Sequence, residues 1–250
     1  MAYDVADAAA RFHEDGFVLV EGFLSPDEVD RLDRELERYM KEVLPGVDRR
    51  DVFYESGSGG AITHTGGLDQ YDDYFRDFVN RADVVGLMEA CIGSQVALLG
   101  AEVFFKAPWK GTATPYHQDN AYMHFDPAEG AAFWLALDDT TVENGAMHYA
   151  RGAFKLGDLD HFETGEFPFS KQQSEVPDPV RYPEVPAVLG RGGAAVHHIQ
   201  TPHRTGPNNT DQMRRGLVCS FKGVNAQVNE AWRASHAAYT GRLHKELGNV

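Results

Sequence analysis

Short runs of apolar residues, separated by clusters of turn residues, recur along most of the chain. These runs cover residues 17–20, 96–106, 131–138, 146–150, 185–189, 194–200 and 214–222. Short apolar stretches bounded by Gly, Pro, Asn and Asp are typical of β-strands. No regular alternation of strands with helices accompanies them, so the pattern predicts a mainly β barrel or sandwich and not a parallel α/β sheet.

Apolar residues at helical spacing occur between and beside the predicted strands. The predicted helices cover residues 4–14, 25–44, 77–92 and 229–247. The second helix has the clearest start, because Ser25 and Glu28 match a capping box and Pro26 takes the favoured first position. Its apolar stripe indicates that this helix packs on one face of a sheet.

Two long stretches have no clear period. Residues 46–76 are predicted to be loops, with His64 at the surface or in a lid. Residues 151–183 are predicted to form a lid insertion, because long structureless segments in a compact domain are usually functional or disordered. The insertion would present an acidic lining made of Asp158, Asp160, Glu163 and Glu166.

His117 and Asp119 are the first sign of chemistry. Side chains two residues apart on a strand point to the same side, so we expect this imidazole and carboxylate to project together. They would supply two thirds of a 2-His-1-carboxylate triad, which holds Fe(II) and leaves three positions open. A solvated polar turn would show the same spacing, so the pair alone does not define a metal site.

The third ligand is expected near the end of the buried strand over residues 194–200. His203 follows this strand beside a turn-forming Thr-Gly-Pro-Asn sequence. His197 and His198 are alternatives, and because they are adjacent on a strand they face opposite sides. The next strand begins at Arg214, and we expect it to return as a long-looped hairpin that brings its start close to His203.

An arginine beside the metal would complete a cosubstrate site. One end of 2-oxoglutarate chelates iron, and a guanidinium can hold the distal carboxylate with two parallel hydrogen bonds. Arg214 and Arg215 compete for this role, since only one of them can face the interior. The alternate positions that include Arg214 carry small residues, which leave room for a cosubstrate, so we expect Arg214 to point inward.

These motifs resemble those of the phytanoyl-CoA dioxygenase family of Fe(II)- and 2-oxoglutarate-dependent oxygenases, and the resemblance covers nearly the whole chain. The matching segments are residues 15–20, 105–108, 117–119, 133–139, 144–145 and 203–208, with Arg214 at the family's spacing. Residues 150–154 depart from the family, which usually has a Pro-Gly-Ser-His turn there.

The resemblance implies a double-stranded β-helix, a jelly-roll of the cupin type, with flanking helices. It selects His203 as the third metal ligand and implies that His117, Asp119 and His203 are the catalytic residues. Cosubstrate contacts are implied for Arg214, Thr205, Lys106 and Trp134. Lys106 could instead be an edge lysine and Trp134 a core residue. Tyr122 could reach the substrate, whereas packing or hydrogen bonding is expected for His124 and His148.

Charge and cysteine content limit which binding partners and which cellular compartment we expect for this protein. The chain has 250 residues, and its 23 Lys and Arg against 38 Asp and Glu give a net charge of −15. This balance argues against nucleic acid or an anionic membrane, and it suits a cationic or polyhydroxylated small molecule. Cys91 and Cys219 are not expected to form a disulfide, and no signal peptide or membrane span is visible. We therefore expect one cytoplasmic domain over residues 1–250.

We expect an oxygenase that uses Fe(II), 2-oxoglutarate and O₂ to oxidise an unactivated C–H bond. The orthosomycin branch of the family closes rings on oligosaccharide or aminoglycoside antibiotics, so natural-product tailoring by hydroxylation or ring closure is the favoured role. An acyl-CoA hydroxylase would need a basic entrance, and a family halogenase would have Gly or Ala in place of Asp119. A metal-containing β-barrel binding module without activity is the alternative from another class.

Overall fold

A computed structural model describes residues 3–54, 60–165 and 170–246 of the chain. In chain order the strands are β1 Phe17–Val20, β2 Val52–Tyr54, β3 Ile62–Thr65, β4 Val96–Lys106, β5 Thr114–His117, β6 Phe125–Asp126, β7 Gly130–Ala136, β8 Met147–Ala150, β9 His161–Glu163, β10 Lys171–Gln173, β11 Glu184–Pro186, β12 Ala194–His198, β13 His203–Thr205, β14 Arg214–Gly223 and β15 Gln227–Val228. The α-helices are α1 Val5–Asp15, α2 Pro26–Arg38, α3 Leu68–Tyr71, α4 Asp73–Val79, α5 Ala82–Ile92, α6 Asn120–Met123 and α7 Glu230–Glu246.

Two antiparallel sheets face each other and form the frame of the molecule. The larger sheet has the strand order β1-β12-β7-β14-β4-β3-β2, and the smaller one has the order β11-β8-β13-β5. An apolar layer drawn from both sheets lies between them, and it includes Phe17, Trp134, Tyr149 and Ala195. This is the double-stranded β-helix, or jelly-roll, that the sequence resemblance implied.

Helices cover the other face of the larger sheet. The main apolar core joins buried residues of α1, α2, α4 and α5 to outward residues of the sheet such as Val103 and Leu217. The predicted capping box at the start of α2 is present, since Glu28 Oε2 accepts the Ser25 N–H at 2.9 Å and Ser25 Oγ accepts the Glu28 N–H at 3.4 Å. Beyond α2, the chain continues as a π-helical turn over Tyr39–Val43 and a 3-10 turn over Leu44–Gly46.

The junction of α1 with β1 ties the helical layer to the sheet. Gly16 ends α1 with φ +85°, and a Cβ at this position would lie 2.5 Å from Phe154 Cδ1 and 2.7 Å from Thr201 Oγ1. The Gly16 carbonyl accepts the His198 N–H at 2.9 Å and the Thr201 hydroxyl at 2.7 Å. Only glycine fits this crossing, which holds the end of β12 and the turn after it in place.

Several predicted elements are confirmed closely. β1 and β4 have the predicted bounds, and the predicted strands at 131–138, 146–150, 194–200 and 214–222 correspond to β7, β8, β12 and β14. α1 and α7 also start within a residue of their predicted positions. The predicted end of the last helix at Leu247 lies outside the described residues.

Three predictions about organisation were wrong. Residues 46–76 contain β2, β3 and α3, because β3 pairs with β4 and extends the larger sheet. The helix predicted over 77–92 is interrupted, since Arg81 is extended (φ −56°, ψ 140°) and separates α4 from α5. No hairpin joins β12 to β14, because β7 lies between them and β13 belongs to the smaller sheet. The first and third errors arise from long-range strand pairing, which local patterns do not report.

The insertion over residues 151–183 has more structure than predicted. It contains a 3-10 turn at Ala153–Leu156 and an antiparallel pair of β9 with β10. Residues 166–169, which include the predicted acidic lining residue Glu166, lie outside the described residues. Cys91 and Cys219 are buried free thiols. Among the helices described, none combines the length and apolar character that a membrane crossing requires.

Candidate metal centre

His117 and His203 meet because their strands pair. β5 ends at His117 and β13 begins at His203, and the two residues are directly opposite each other in the register. Their ring centroids are 4.2 Å apart, and both side chains are buried in the interior between the sheets. Strand pairing therefore brings together two imidazoles that are far apart in the sequence.

Asp119 reaches the same place by a different route from the one we predicted. We expected it to share a strand face with His117, but Asp119 lies beyond β5 with helical angles (φ −63°, ψ −31°), immediately before α6. The chain turns here because the Asn120 N–H donates to the Ile199 carbonyl at 2.9 Å. The Asp119 carboxylate still faces both imidazoles, with Oδ1 3.6 Å from Nε2 of each histidine.

Both imidazoles are oriented by backbone carbonyls. His117 Nδ1 lies 2.9 Å from the Pro115 carbonyl, and His203 Nδ1 lies 2.9 Å from the Thr201 carbonyl. A carbonyl can only accept, so each Nδ1 carries the hydrogen, and each Nε2 faces Asp119 without one. This second contact orients a metal-binding histidine and sets its tautomer.

The environment favours the protonation states that a metal requires. Burial lowers the pKa of His117 and takes the pKa of His203 well below that of an ordinary histidine. Burial alone would raise the pKa of Asp119, but the nearby His203, His197 and His117 outweigh it and hold the pKa below its usual range. At neutral pH the cluster therefore contains two neutral imidazoles and one carboxylate.

The donor atoms fit a single metal ion. One ligand atom from each of His117, Asp119 and His203 lies within 4.8 Å of the other two. Two imidazole nitrogens and one carboxylate oxygen are the donor set of non-heme Fe(II) oxygenases. The predicted triad is thus brought together in the fold.

Two buried cations lie opposite each other on neighbouring strands. Arg214 on β14 pairs in register with Lys106 on β4, and the two residues are 3% and 7% exposed. Arg214 Nη2 donates to the Gly145 carbonyl at 3.1 Å, but the buried Nε has no hydrogen-bond partner among the described residues. Lys106 Nζ donates to the Thr112 carbonyl.

The pKa values of these cations reflect their burial. Burial, with a smaller contribution from Arg214, lowers the pKa of Lys106 to about 7, and burial lowers the pKa of Arg214 to about 10. A buried charge is costly unless a partner neutralises it. An orphaned guanidinium nitrogen beside a desolvated ammonium therefore suits a carboxylate ligand.

Trp134 and Thr205 lie on the two sheets that enclose this space. The Arg214 guanidinium is 5.6 Å from the centre of the Trp134 ring, and Trp134 also belongs to the interior apolar layer. A Cβ on Gly216 would lie 2.2 Å from Trp134 Cζ2, so only glycine leaves room for the indole. Thr205 Oγ1 accepts the Thr114 N–H at 3.1 Å, which links β13 to β5.

Arg215 faces away from the interior, as the alternation along β14 predicts. Its Nε and Nη2 donate to Asp138 at 2.9 and 2.7 Å, and its Nη1 lies 2.9 Å from Asp33 on helix α2. The hydrogen bonds that Arg215 donates to Asp138 outweigh the effect of burial and raise the pKa of Arg215 above its ordinary value. Arg215 therefore already has its carboxylate partners, whereas Arg214 does not.

The remaining histidines have other contacts. His64 is buried in β3, which corrects the prediction of a surface or lid position. Its ring stacks between Phe53 and Phe104 at 4.7 and 4.3 Å, and Nε2 contacts the Glu102 carboxylate. His198 lies between Phe12 and Phe154, His124 lies 4.2 Å from the Trp232 ring, and His148 Nδ1 is 3.0 Å from Glu184.

Two contacts to the segment that carries His117 and Asp119 were not predicted from the sequence. His197 Nε2 lies 3.0 Å from Asp119 Oδ2, so this histidine binds the carboxylate. His161 Nε2 accepts the Gln118 N–H at 3.0 Å. Alternation along β12 could have placed His197 on the interior face with Ala195, whereas nothing local in the sequence marks His161.

The insertion lies directly against the metal-binding segment. Gln118 Nε2 donates to the Gly157 carbonyl at 2.9 Å, and Gln118 Oε1 accepts the Leu159 N–H at 2.8 Å. The Tyr122 hydroxyl lies 3.1 Å from the Lys171 N–H, and its ring is 5.9 Å from that of His117. Tyr122 therefore stands beside the centre, in contact with β10.

The acidic residues of the insertion divide into two groups. Asp158 Oδ1 accepts hydrogen bonds from Asn120 Nδ2 at 2.8 Å and Gln200 Nε2 at 3.0 Å, so this carboxylate helps to hold the segment down. Asp160 and Glu163 are exposed.

Comparison with known proteins agrees with the geometry. The sequence profile of the family described as phytanoyl-CoA dioxygenase (PhyH) matches residues 12–216. The chain therefore belongs to the phytanoyl-CoA dioxygenase family, and it is an Fe(II)- and 2-oxoglutarate-dependent dioxygenase.

Relatives and solved structures extend over most of the chain. A probable alpha-ketoglutarate-dependent hypophosphite dioxygenase of Stutzerimonas stutzeri is 24% identical, over 88% of this chain and 79% of its own. The L-proline trans-4-hydroxylase of Streptomyces griseoviridis is 26% identical, over 87% and 86%. The epimerase SnoN, solved with Fe3+, alpha ketoglutarate and nogalamycin RO, is 25% identical with a TM-score of 0.73, over 90% of this chain and 85% of its own.

Proposed function

We propose that His117, Asp119 and His203 hold the catalytic Fe(II), and that Arg214 with Lys106 binds the distal carboxylate of 2-oxoglutarate. The observation that carries this proposal is that a cluster of metal-ligand side chains and a pair of buried cations face the same space between the two sheets. Two neutral imidazoles and a carboxylate converge at one point, and two buried cations, one with an orphaned Nε, lie on the facing sheet.

The reaction balances as R–H + 2-oxoglutarate + O₂ → R–OH + succinate + CO₂, with the bound iron supplying the oxidising chemistry. The protein's own residues bind, orient and exclude water. Arg214 and Lys106 hold one end of the cosubstrate. Thr205 lies across from them on the smaller sheet, and the Trp134 indole forms the wall beside them. A buried, water-poor interior also strengthens each of these charge contacts.

The segment over residues 151–183 acts as the lid of this site, within one domain spanning residues 1–250. Support comes from the hydrogen bonds between this segment and Gln118, which lies between two proposed metal ligands. Tyr122, bonded to the backbone of Lys171, forms the wall between the lid and His117.

The substrate is a small polar metabolite, and the reaction is a tailoring hydroxylation or an oxidative ring closure, for example on an aminoglycoside or oligosaccharide. Two relatives are named for proline and for hypophosphite, both small polar molecules, and SnoN was solved with a nogalamycin compound. Glu102 has a partly exposed carboxylate on the interior face of β4, where its Oε2 also contacts His64 Nε2. This carboxylate suits a hydroxyl or ammonium group of such a substrate.

The direct test is a screen of polar metabolites for substrate-stimulated succinate release. The iron-loaded chain is incubated with 2-oxoglutarate, O₂ and amino acids, aminoglycosides or oligosaccharides, and Arg214→Leu serves as the control variant. We expect one class of compound to raise succinate release, with the oxidised product formed in equal amount. Compounds that bind tightly without raising succinate release would favour a binding module instead.

If the substrate is cationic, its affinity should depend on salt. Exposed charges act over a Debye length of about 8–10 Å near physiological salt, and the chain carries a net charge of −15. The apparent KM should rise with ionic strength, and Asp160→Asn with Glu163→Gln should reduce this dependence. A flat salt response for a cationic substrate would contradict an attracting role for these acids.

A further inference from the structure

Two buried polar residues, Tyr149 and His197, lie behind Asp119 and are not members of the proposed metal-binding triad. Tyr149 on β8 is fully buried, and His197 on β12 is 3% exposed. The Tyr149 hydroxyl lies 3.1 Å from His197 Nδ1, and His197 Nε2 lies 3.0 Å from Asp119 Oδ2. The three side chains form a continuous hydrogen-bonded line that crosses from the smaller sheet to the larger one.

The direction of each hydrogen bond follows from the groups involved. A carboxylate only accepts, so His197 Nε2 carries the hydrogen and donates it to Asp119. In the neutral imidazole the Nδ1 of the same ring carries no hydrogen, so it accepts the hydrogen of the Tyr149 hydroxyl. Met147 Sδ lies 3.5 Å from that hydroxyl, but a thioether is a weak acceptor. His197 is thus held in the opposite tautomer to His117 and His203, whose Nε2 atoms are bare.

The two oxygens of Asp119 consequently have different surroundings. Oδ1 is 3.6 Å from Nε2 of both His117 and His203, on the side where the three ligand atoms converge. Oδ2 is occupied by the hydrogen bond from His197. A facial triad must leave three metal positions open, two for the 2-oxo acid and one for O₂, so the carboxylate has to bind through one oxygen only.

We propose that His197, itself held by Tyr149, is a positioning residue that keeps Asp119 bound to the metal through Oδ1 alone. Packing alone does not explain a histidine at position 197. Its partner Tyr149 belongs to an apolar layer and stacks on Phe17 at 4.6 Å. A polar imidazole beside such a layer costs free energy unless both its nitrogens are bonded, and here both are. The proposal rests on the metal assignment given under the proposed function.

Cobalt binding to the full-length chain without 2-oxoglutarate tests this role apart from activity. His197→Phe keeps a ring of similar size but removes both hydrogen bonds. We expect it to weaken Co(II) binding by about 10–100-fold, the usual effect of losing such a contact, and to change the visible Co(II) spectrum as Oδ2 becomes free to bind. His197→Gln restores a donor at the same position, so its affinity and spectrum should return close to those of the wild type.

Two further variants keep the test decisive. His198→Phe makes the same change on the opposite face of β12, where the ring lies between Phe12 and Phe154, and it should leave the Co(II) spectrum unchanged. Tyr149→Phe removes one hydroxyl and should weaken Co(II) binding by about fivefold. If His197→Phe does not fold, the Tyr149→Phe and His197→Gln results decide the question.

The outcomes separate this proposal from the metal assignment itself. Wild-type affinity and an unchanged Co(II) spectrum in folded His197→Phe, or in Tyr149→Phe where His197→Phe does not fold, would overturn the positioning role and leave the metal centre intact. A wild-type chain that does not bind Co(II) would overturn both.

Discussion

At the scale of single residues, two adjacent arginines on β14 point to opposite faces of the sheet and therefore have different contacts. Arg215 points to helix α2 and is paired with Asp33 and Asp138, whereas Arg214 points inward. Within the part of the chain that the structure describes, the Arg214 Nε has no hydrogen-bond partner and no carboxylate pairs with its guanidinium, so the two arginines differ chemically as well as in direction. The cosubstrate carboxylate would complete its set of hydrogen bonds.

Arg214→Leu should weaken 2-oxoglutarate binding by at least about tenfold, since a charge-assisted hydrogen bond contributes ~1.5–3 kcal/mol. Metal binding should change little, because the three ligands remain. The matched variant Arg215→Leu should leave 2-oxoglutarate affinity intact and lower the free energy of unfolding by about 1–3 kcal/mol, because Asp138 loses its donors. Calorimetric titration of both metal-loaded variants checks this, and a loss of affinity in Arg215→Leu alone would contradict it.

If Lys106 binds the cosubstrate as proposed, cosubstrate binding should depend on pH. Its pKa of about 7 in the free protein should rise when a carboxylate binds beside it. Its contribution is therefore complete below about pH 7 and is lost as pH rises toward the higher pKa of the complex, with the Kd of 2-oxoglutarate increasing by up to about tenfold per pH unit. Lys106→Met should show a nearly flat profile over this range. An equal slope in both proteins would assign the dependence to another group.

At the scale of elements, strand pairing explains both what could be predicted and what could not. Residue alternation correctly identified the inward face of β14, on which Arg214 is buried. The partner of each strand was not recognisable, so the expected hairpin of β12 with β14 is replaced by pairing of each with β7. His203 meets His117 through β13 and β5, a pairing that no local pattern records.

The position of the insertion also could not be predicted from local sequence patterns. Residues 151–183 carry no periodicity, yet the described part near residues 157–159 is held by single polar contacts from Gln118, which is 1% exposed. Contacts of this kind arise from the assembled fold. Alternation along β12 could indicate that His197 faces the interior, but its contact with Asp119 depends on how β12 and the segment after β5 pack together.

Gln118→Ala should loosen the insertion without unfolding the sheets. It removes hydrogen bonds to the backbone of Gly157, Leu159 and Gln200. Hydrogen exchange should then accelerate over residues 157–163 and 171–173, while β7 and β14 keep their protection, because local openings cost less than global unfolding. Gln70→Ala on α3 is the control for loss of a glutamine side chain. Unchanged exchange in the insertion would show that other contacts hold it.

At the scale of the whole molecule, the two sheets contribute different side chains to the proposed site. The smaller sheet supplies His117 and His203, the larger sheet supplies Arg214, Lys106 and Trp134, and the loop after β5 supplies Asp119. The helices stabilise the larger sheet from outside through the main apolar core. Because the two histidines and the two buried cations of the proposed site come from opposite sheets, we expect the site to form only when both sheets are in place.

The central claim is that Asp119 completes an iron site with His117 and His203, and Asp119→Ala tests it most directly. Fe(II) is titrated anaerobically into the wild-type and variant chains, and substrate-stimulated succinate release is then measured without added chloride or carboxylate. We expect the wild type to bind one Fe(II) per chain and the folded variant to lose at least about tenfold in affinity together with its turnover, because two neutral imidazoles leave the charge of the metal uncompensated. A folded Asp119→Ala chain with wild-type iron affinity and full turnover would contradict the account.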